Sequence, residues 1–203
     1  MQRFRTAWVV FAVGLCIASG PAWSQEVSER SLVELAAGTL WRVEGGPKGA
    51  PAGYLLATDV GIVALDPLPD DPAPPEEAGT IVLIVSSYAV ADADIPHGDI
   101  PLIEPGGLDV EAVYELGQEK LHLVPMAGPF GTRILVLWAA RQGLVLAPAL
   151  LEPRRTGGPV DIAAWKAGLR LVSRLKPKRL LPDPGKPLGA LDEAWMRAAA
   201  AAR

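Results

Sequence analysis

The chain has 203 residues, half of them hydrophobic, with 19 Lys and Arg against 23 Asp and Glu. That length supports one domain with a substantial core, and the acidic balance argues against nucleic acid or an anionic membrane as a partner. The N-terminus reads separately from the rest: Arg3 and Arg5 precede an apolar stretch from Ala7 to Ala18, and Ala22-Trp23-Ser24 supplies small residues where a signal peptidase cuts. The apolar run is shorter than the roughly 20 residues a spanning helix needs. Residues 1–24 therefore read as a cleaved secretory signal ahead of a single domain over 25–203. Cleavage would place the product in the periplasm or the medium with no stable membrane span. It would also take Arg3 and Arg5 from the 19 cations, leaving 17 against 23 carboxylates, and remove Cys16, the sole cysteine. The exported chain then has no thiol for a disulfide or for zinc. Leu15 precedes Cys16, where lipoprotein cleavage wants a small residue.

Along the domain, short strands and helices alternate without repeats. Leu32 to Val43 is followed by the turn-rich "EGGPKGAPAG", whose glycines and lysine lack phosphate-loop spacing. "YLLATDVGIVALD" reads as two strands joined at Asp59-Val60-Gly61, and the proline-rich Pro67 to Gly79 as a surface loop with its acidic residues solvated. Ile81 to Val85 is an unbroken apolar run, the mark of a strand buried on both faces, and it runs into the polar "SSYAVADAD". Loops at the carboxyl ends of such strands are where ligand chemistry sits in open α/β sheets. Asp109 is placed to cap a short helix over Val110 to Leu116, Lys120 to Pro125 reads as a strand, and "RILVLWAARQGLVLAPALL" reads as a hairpin turning near Arg141-Gln142-Gly143. Asp161 caps an amphipathic helix with Ile162, Trp165, Leu169, Val172 and Leu175 on one face and Lys166, Arg170 and Arg174 on another. Helical spacing accounts for Trp165 and Trp195 as packing residues. Pro177 stops the helix, "RLLP" is a brief strand, and Leu191 to Ala202 offers a terminal helix.

Taken in order, these elements resemble the metallo-beta-lactamase superfamily, an α/β (αββα) sandwich of two mixed sheets packed face to face with outer helices. "AGYLLATDVGIVALDPLP" resembles the opening hairpin that ends in an aspartate, here Asp66. "IVLIVSSYAVADAD" is similar to the strand leading into the H-x-H-x-D-H metal motif. "LHLVPMAGPFGTRILVLWAARQGLVLAPALL" is similar to the segment with a Gly-His-Thr turn, a hairpin and a Gly-Asp pair. "DIAAWKAGLRLVSRLKPKRLLPDPGKP" resembles the late helix and strand that end in Pro-Gly-His-Gly.

The resemblance implies a site for one or two zinc or iron ions, held by histidines and carboxylates around an open position for activated water. Laid on that pattern, the motif's histidines fall on Tyr88, Val90 and Ala93, and Asp92 alone keeps its type. The later histidine, aspartate and histidine fall on Pro129, Pro148 and Pro184. Proline, valine and alanine side chains have no donor atom. The resemblance thus implies a degenerate member that lacks the histidine ligands and has no cofactor. Ser87, Tyr88, Asp92, Asp66 and Asp183 are its pocket candidates, with Tyr88 either lining a pocket or filling the space of a lost metal. The expected function is that of an accessory protein binding a small molecule or a periplasmic protein.

The alternative is a hydrolase with one divalent metal ion in a rewired site. Asp92, Asp94, His97 and Asp99 form an oxygen-rich loop cluster of the type that holds calcium or manganese, although acidic loop residues more often solvate and turn. His122 alternates with Leu121 and Leu123 and belongs on a sheet face. Ser86 and Ser87 lack the Gly-x-Ser-x-Gly surroundings of an activated nucleophile.

Overall fold

The computed structural model describes residues 29–45, 52–68, 71–88, 97–153 and 158–201. The expected signal, Cys16, the turn-rich stretch 46–51, and Val90, Asp92, Ala93 and Asp94 lie outside the described residues.

The first sheet contains β1 (Ser31–Ala36), β2 (Leu40–Glu44), β3 (Gly53–Thr58), β4 (Gly61–Leu65), β5 (Ile81–Val85) and β6 (Leu102–Ile103), in that spatial order. β1 to β4 form an antiparallel meander, whereas β5 runs parallel to both β4 and β6. The second sheet has the order β11-β10-β9-β8-β7, from β7 (Ala112–Leu116), β8 (Glu119–Ala127), β9 (Arg133–Ala139), β10 (Leu144–Leu146) and β11 (Arg179–Leu181). Its pairs are antiparallel except for β10 with β11. Both sheets are therefore mixed.

Period-two alternation builds the layer between them. Leu40, Tyr54, Leu56, Val63, Leu65, Leu83 and Val85 point inward from the first sheet and meet Leu121, Leu123, Leu135, Leu137 and Leu146 from the second. The helices α1 (Pro148–Leu151), α2 (Ile162–Arg174) and α3 (Glu193–Ala201) cover the second sheet's outer face, where Ile134, Val136 and Val145 meet Leu150, Trp165, Leu169 and Met196. On the first sheet's outer face, Trp41, Leu55, Ile62, Ala64 and Ile84 gather with the loop residues Ala78 and Ile100.

Local chemistry explains the joints. The β3–β4 hairpin turns at Asp59-Val60, as the sequence predicts, and Gly61 has φ 141°. A Cβ there would lie 2.5 Å from Val82 Cγ1 and 2.7 Å from the Thr80 carbonyl oxygen, so the position accepts only glycine. The Asp161 carboxylate accepts from the Ala164 N–H at 2.9 Å and caps α2. Trp165 is fully buried and its indole donates to the Leu150 carbonyl at 2.8 Å, tying α2 to α1. Gly168 allows the close approach, since a Cβ there would meet Leu150 Cδ1 at 2.7 Å.

Three expectations are corrected. Val110 to Leu116 is not a helix: Ala112–Leu116 is a strand whose alternating exposure matches period two, and it pairs with β8, Val113 opposite His122. Asp109, the expected cap, instead accepts from the Arg133 guanidinium at 3.0 Å. The hairpin's second strand ends at Leu146, because Pro148 suits the first turn of a helix and opens α1. In the proline-rich loop Asp71 is not a solvated charge. Its carboxylate meets Arg30 at 2.6 Å with both side chains largely buried.

Candidate functional site

The parallel register of β4 and β5 places Leu65 opposite Val85. The residues that leave the two strands therefore emerge side by side at one end of the sandwich. Asp66 follows β4, is buried, and adopts φ 51°, a left-handed conformation that Asp tolerates better than most side chains. One carboxylate oxygen accepts the Ser87 N–H at 2.6 Å and the other accepts the Ser87 hydroxyl at 2.5 Å. Such charge-assisted bonds are the strong class, and two of them converge on one buried carboxylate.

Beyond Val85 the chain crosses from one sheet to the other. Ser86 N–H donates to Ile103 in the first sheet, while the Ser87 carbonyl accepts the Leu135 N–H and Tyr88 bridges Ile134 in the second. The Tyr88 ring packs against the helix-covered core, and its hydroxyl donates to the Glu152 carbonyl at 3.1 Å. The Ser86 hydroxyl donates to the Tyr88 carbonyl at 2.9 Å, fixing the turn.

Sequence reasoning missed Tyr54. It is fully buried at the inner face of β3, paired with Leu65 across β4 and with Arg42 across β2. Its hydroxyl makes no hydrogen bond among the described residues. Burial pushes that hydroxyl up to about 12, with the charges of Glu152, Asp66 and Glu44 adding to the rise and the Arg42 guanidinium opposing it. The signal was available: a turn at Asp59-Val60 fixes the hairpin register, and counting back from Leu65 lands on Tyr54 beside the strand end.

The other expected site residues separate. Asp183 is exposed and its carboxylate accepts the Gly185 N–H at 2.8 Å, turning its own loop at a cleft of about 740 Å³ shared with Leu35 and Pro177. His97 and Asp99 are exposed in a turn. Among the described residues, no three His, Cys, Asp or Glu side chains come together as metal ligands would. His122 lies on the outer sheet face, its ring tilted against Trp138 at a centroid distance of 4.5 Å and bonded to Glu111. Pro129 and Pro148 are buried and Pro184 half-buried. None of the three offers a donor side chain.

What this arrangement can do is bounded by access. The Ser87 side chain is fully buried with its hydroxyl committed to Asp66, so it is not a nucleophile for a solvent-borne substrate. No helix among the described residues is long and apolar enough to cross a membrane.

No family model matches the chain, and no curated protein matches its sequence. Solved structures do. DIM-1 metallo-beta-lactamase superposes with a TM-score of 0.58 at 13% identity, over 87% of this chain and 97% of that one. The fold is that of the metallo-beta-lactamases. The FIM-1 enzyme from Pseudomonas aeruginosa, in a mono-zinc form, gives 0.54 at 13% identity over 84% and 96% of the two chains. A metallo-beta-lactamase from Pontibacter korlensis gives 0.53 at 13% over 73% and 87%. At such identity the likeness establishes architecture, and function has to be argued from the site.

The metallo-beta-lactamase fold thus carries a strand-end cluster made from Asp66, Ser87, Tyr88, Tyr54 and the Glu152 carbonyl. Among the described residues, the cluster's side-chain donors are one carboxylate and three hydroxyls, without a histidine or cysteine of the kind that holds zinc. Asp66, which follows β4, is engaged by Ser87, and the three prolines that the resemblance lays on later ligand positions have no donor side chain.

Proposed function

We propose that this is an exported metallo-beta-lactamase-fold protein whose strand-end site holds no catalytic metal, and that it acts as an accessory protein binding a small molecule or a periplasmic partner. The observation that carries this reading is the Asp66–Ser87 pair. The buried Asp66 carboxylate accepts two short internal hydrogen bonds from Ser87, and the next residue, Tyr88, is bonded to the Glu152 carbonyl and packed in the core. Side chains used in this way tie the strand ends together rather than presenting donors to an activated water. Export rests on the charged, apolar and small-residue order of the first 24 residues.

The test is thermal unfolding of the purified full-length product with and without a strong chelator. A fold whose strand ends are tied by Asp66, Ser87 and Tyr88 keeps its midpoint. A drop of several degrees on chelation, restored by zinc, manganese or calcium, would contradict the reading and favour a hydrolase with a rewired metal site.

A further inference from the structure

A strongly basic stretch follows the strand-end residues along the chain. Between Lys166 and Lys186 there are seven cations and one carboxylate, in a chain whose overall balance is 19 cations to 23 carboxylates. Lys166, Arg170 and Arg174 recur at four-residue spacing on α2, away from the buried face of Trp165, Leu169 and Val172. Like charges at that spacing repel one another along the helix. Lys166 is neutralised by Glu193 at 2.8 Å. Arg170, Arg174, Lys178, Arg179 and Lys186 are exposed, and none has a carboxylate within ion-pair distance among the described residues.

These five cations border two adjoining clefts. One, of about 400 Å³, runs between Arg170 and Arg174 of α2 and the residues Leu188 and Leu191. The other, of about 740 Å³, is bordered by Lys178, Arg179 and Lys186 over Leu180, Leu181 and Leu188. Ser173, Leu188 and Gly189 line both, so the two clefts form one groove with a leucine floor and a basic rim. The sole carboxylate in the stretch, Asp183, is turned onto its own loop by Gly185.

We propose that this groove is a docking site for an extended acidic segment of a partner protein, one in which carboxylates alternate with apolar side chains. A recessed trough with leucines at its base and separated cations along its edge matches a chain that can lower apolar groups into the floor and present carboxylates to the rim. A flat anionic membrane would reach the rim and leave the floor unfilled. The site is independent of the strand-end cluster and stands whether or not that cluster holds a metal.

The experiment is fluorescence anisotropy of the full-length exported protein with a labelled synthetic peptide alternating Glu and Leu, against the same peptide with Gln for Glu. The Glu peptide should bind, the Gln peptide should not, and raising the salt from about 50 to about 250 mM should weaken binding strongly, because exposed charges are screened beyond about a Debye length. Arg170→Glu/Arg174→Glu and Lys178→Glu/Arg179→Glu should each weaken it by about tenfold or more, while Lys120→Glu, on β8 away from the groove lining, should leave it unchanged. Arg170→Gln/Arg174→Gln, which creates no new charge, should give an intermediate loss and so separates lost attraction from misfolding. Equal binding of the two peptides, or insensitivity to all the groove variants, would overturn the proposal. So would tighter binding of phosphatidylglycerol vesicles or inorganic polyphosphate that the same variants abolish.

Discussion

Asp66 and Ser87, 21 residues apart in sequence, share a buried carboxylate at the carboxyl ends of β4 and β5, with both the backbone N–H and the hydroxyl of Ser87 donating to it. The pair joins two parallel strands at the point where the chain leaves the first sheet for the second. Asp66→Ala should therefore destabilise the protein by about 3 kcal/mol, since it strands a buried N–H and puts Ala at positive φ. Asp66→Asn keeps an acceptor and a residue tolerant of that backbone, and should cost about 1 kcal/mol. Urea unfolding of both variants measures the order, and equal losses would contradict the hydrogen-bond account.

Tyr54 predicts an alkaline limit. Its hydroxyl is buried and raised to about 12 in the folded chain, whereas the unfolded chain ionises near the ordinary value of 10. Between those values the unfolded state binds fewer protons, so stability falls as pH rises from about 10 to about 12, by about 3 kcal/mol in all. Tyr54→Phe removes the ionising group and should flatten this part of the profile while changing stability little at pH 7, because the hydroxyl has no hydrogen-bond partner among the described residues. Denaturant midpoints collected from pH 8 to pH 11 for both proteins would show it.

Trp165 is the keystone of the helix-covered face, fully buried and bonded to the Leu150 carbonyl. Trp165→Ala should cost about 3–5 kcal/mol from lost burial, cavity and hydrogen bond together. Trp165→Phe should cost less, with the difference between the two variants reporting the cavity. A loss below about 1 kcal/mol for the alanine variant would mean that α2 is not held through this residue.

The sequence made some of this arrangement readable and hid the rest for identifiable reasons. Alternation and turn chemistry revealed the β3–β4 hairpin, and the unbroken Ile81–Val85 run announced a strand buried on both faces, with Leu83 and Val85 on one side and Ile84 on the other. "DVEAVYEL" misled because Asp109 is a good cap and Glu, Ala and Leu favour helix, yet tertiary pairing with β8 decided for strand. Asp66 and Ser87 were both legible as strand-end residues. Their mutual bonding was not, since it depends on the β4–β5 register. Asp183 looked equivalent to them by its position after a strand, but an Asx-type bond to Gly185 turns it to its own loop. Arg30 and Asp71 found each other across the chain, a pairing no local pattern foretells.

Export makes a separate prediction. Protein recovered from the periplasm or medium of an expressing cell should begin near Gln25, read by N-terminal sequencing, after loss of the charged and apolar leader. An intact leader on membrane-bound protein would contradict it.

The most direct test of the proposed loss of metal chemistry is elemental analysis of the mature protein, purified without chelator and dialysed exhaustively. With Asp66 committed to Ser87 and prolines at 129, 148 and 184, the expected content of zinc, iron, manganese and calcium is far below one equivalent. A stoichiometric metal that survives dialysis and disappears in Asp92→Ala/Asp94→Ala would contradict the account and make this chain a metal-dependent hydrolase candidate.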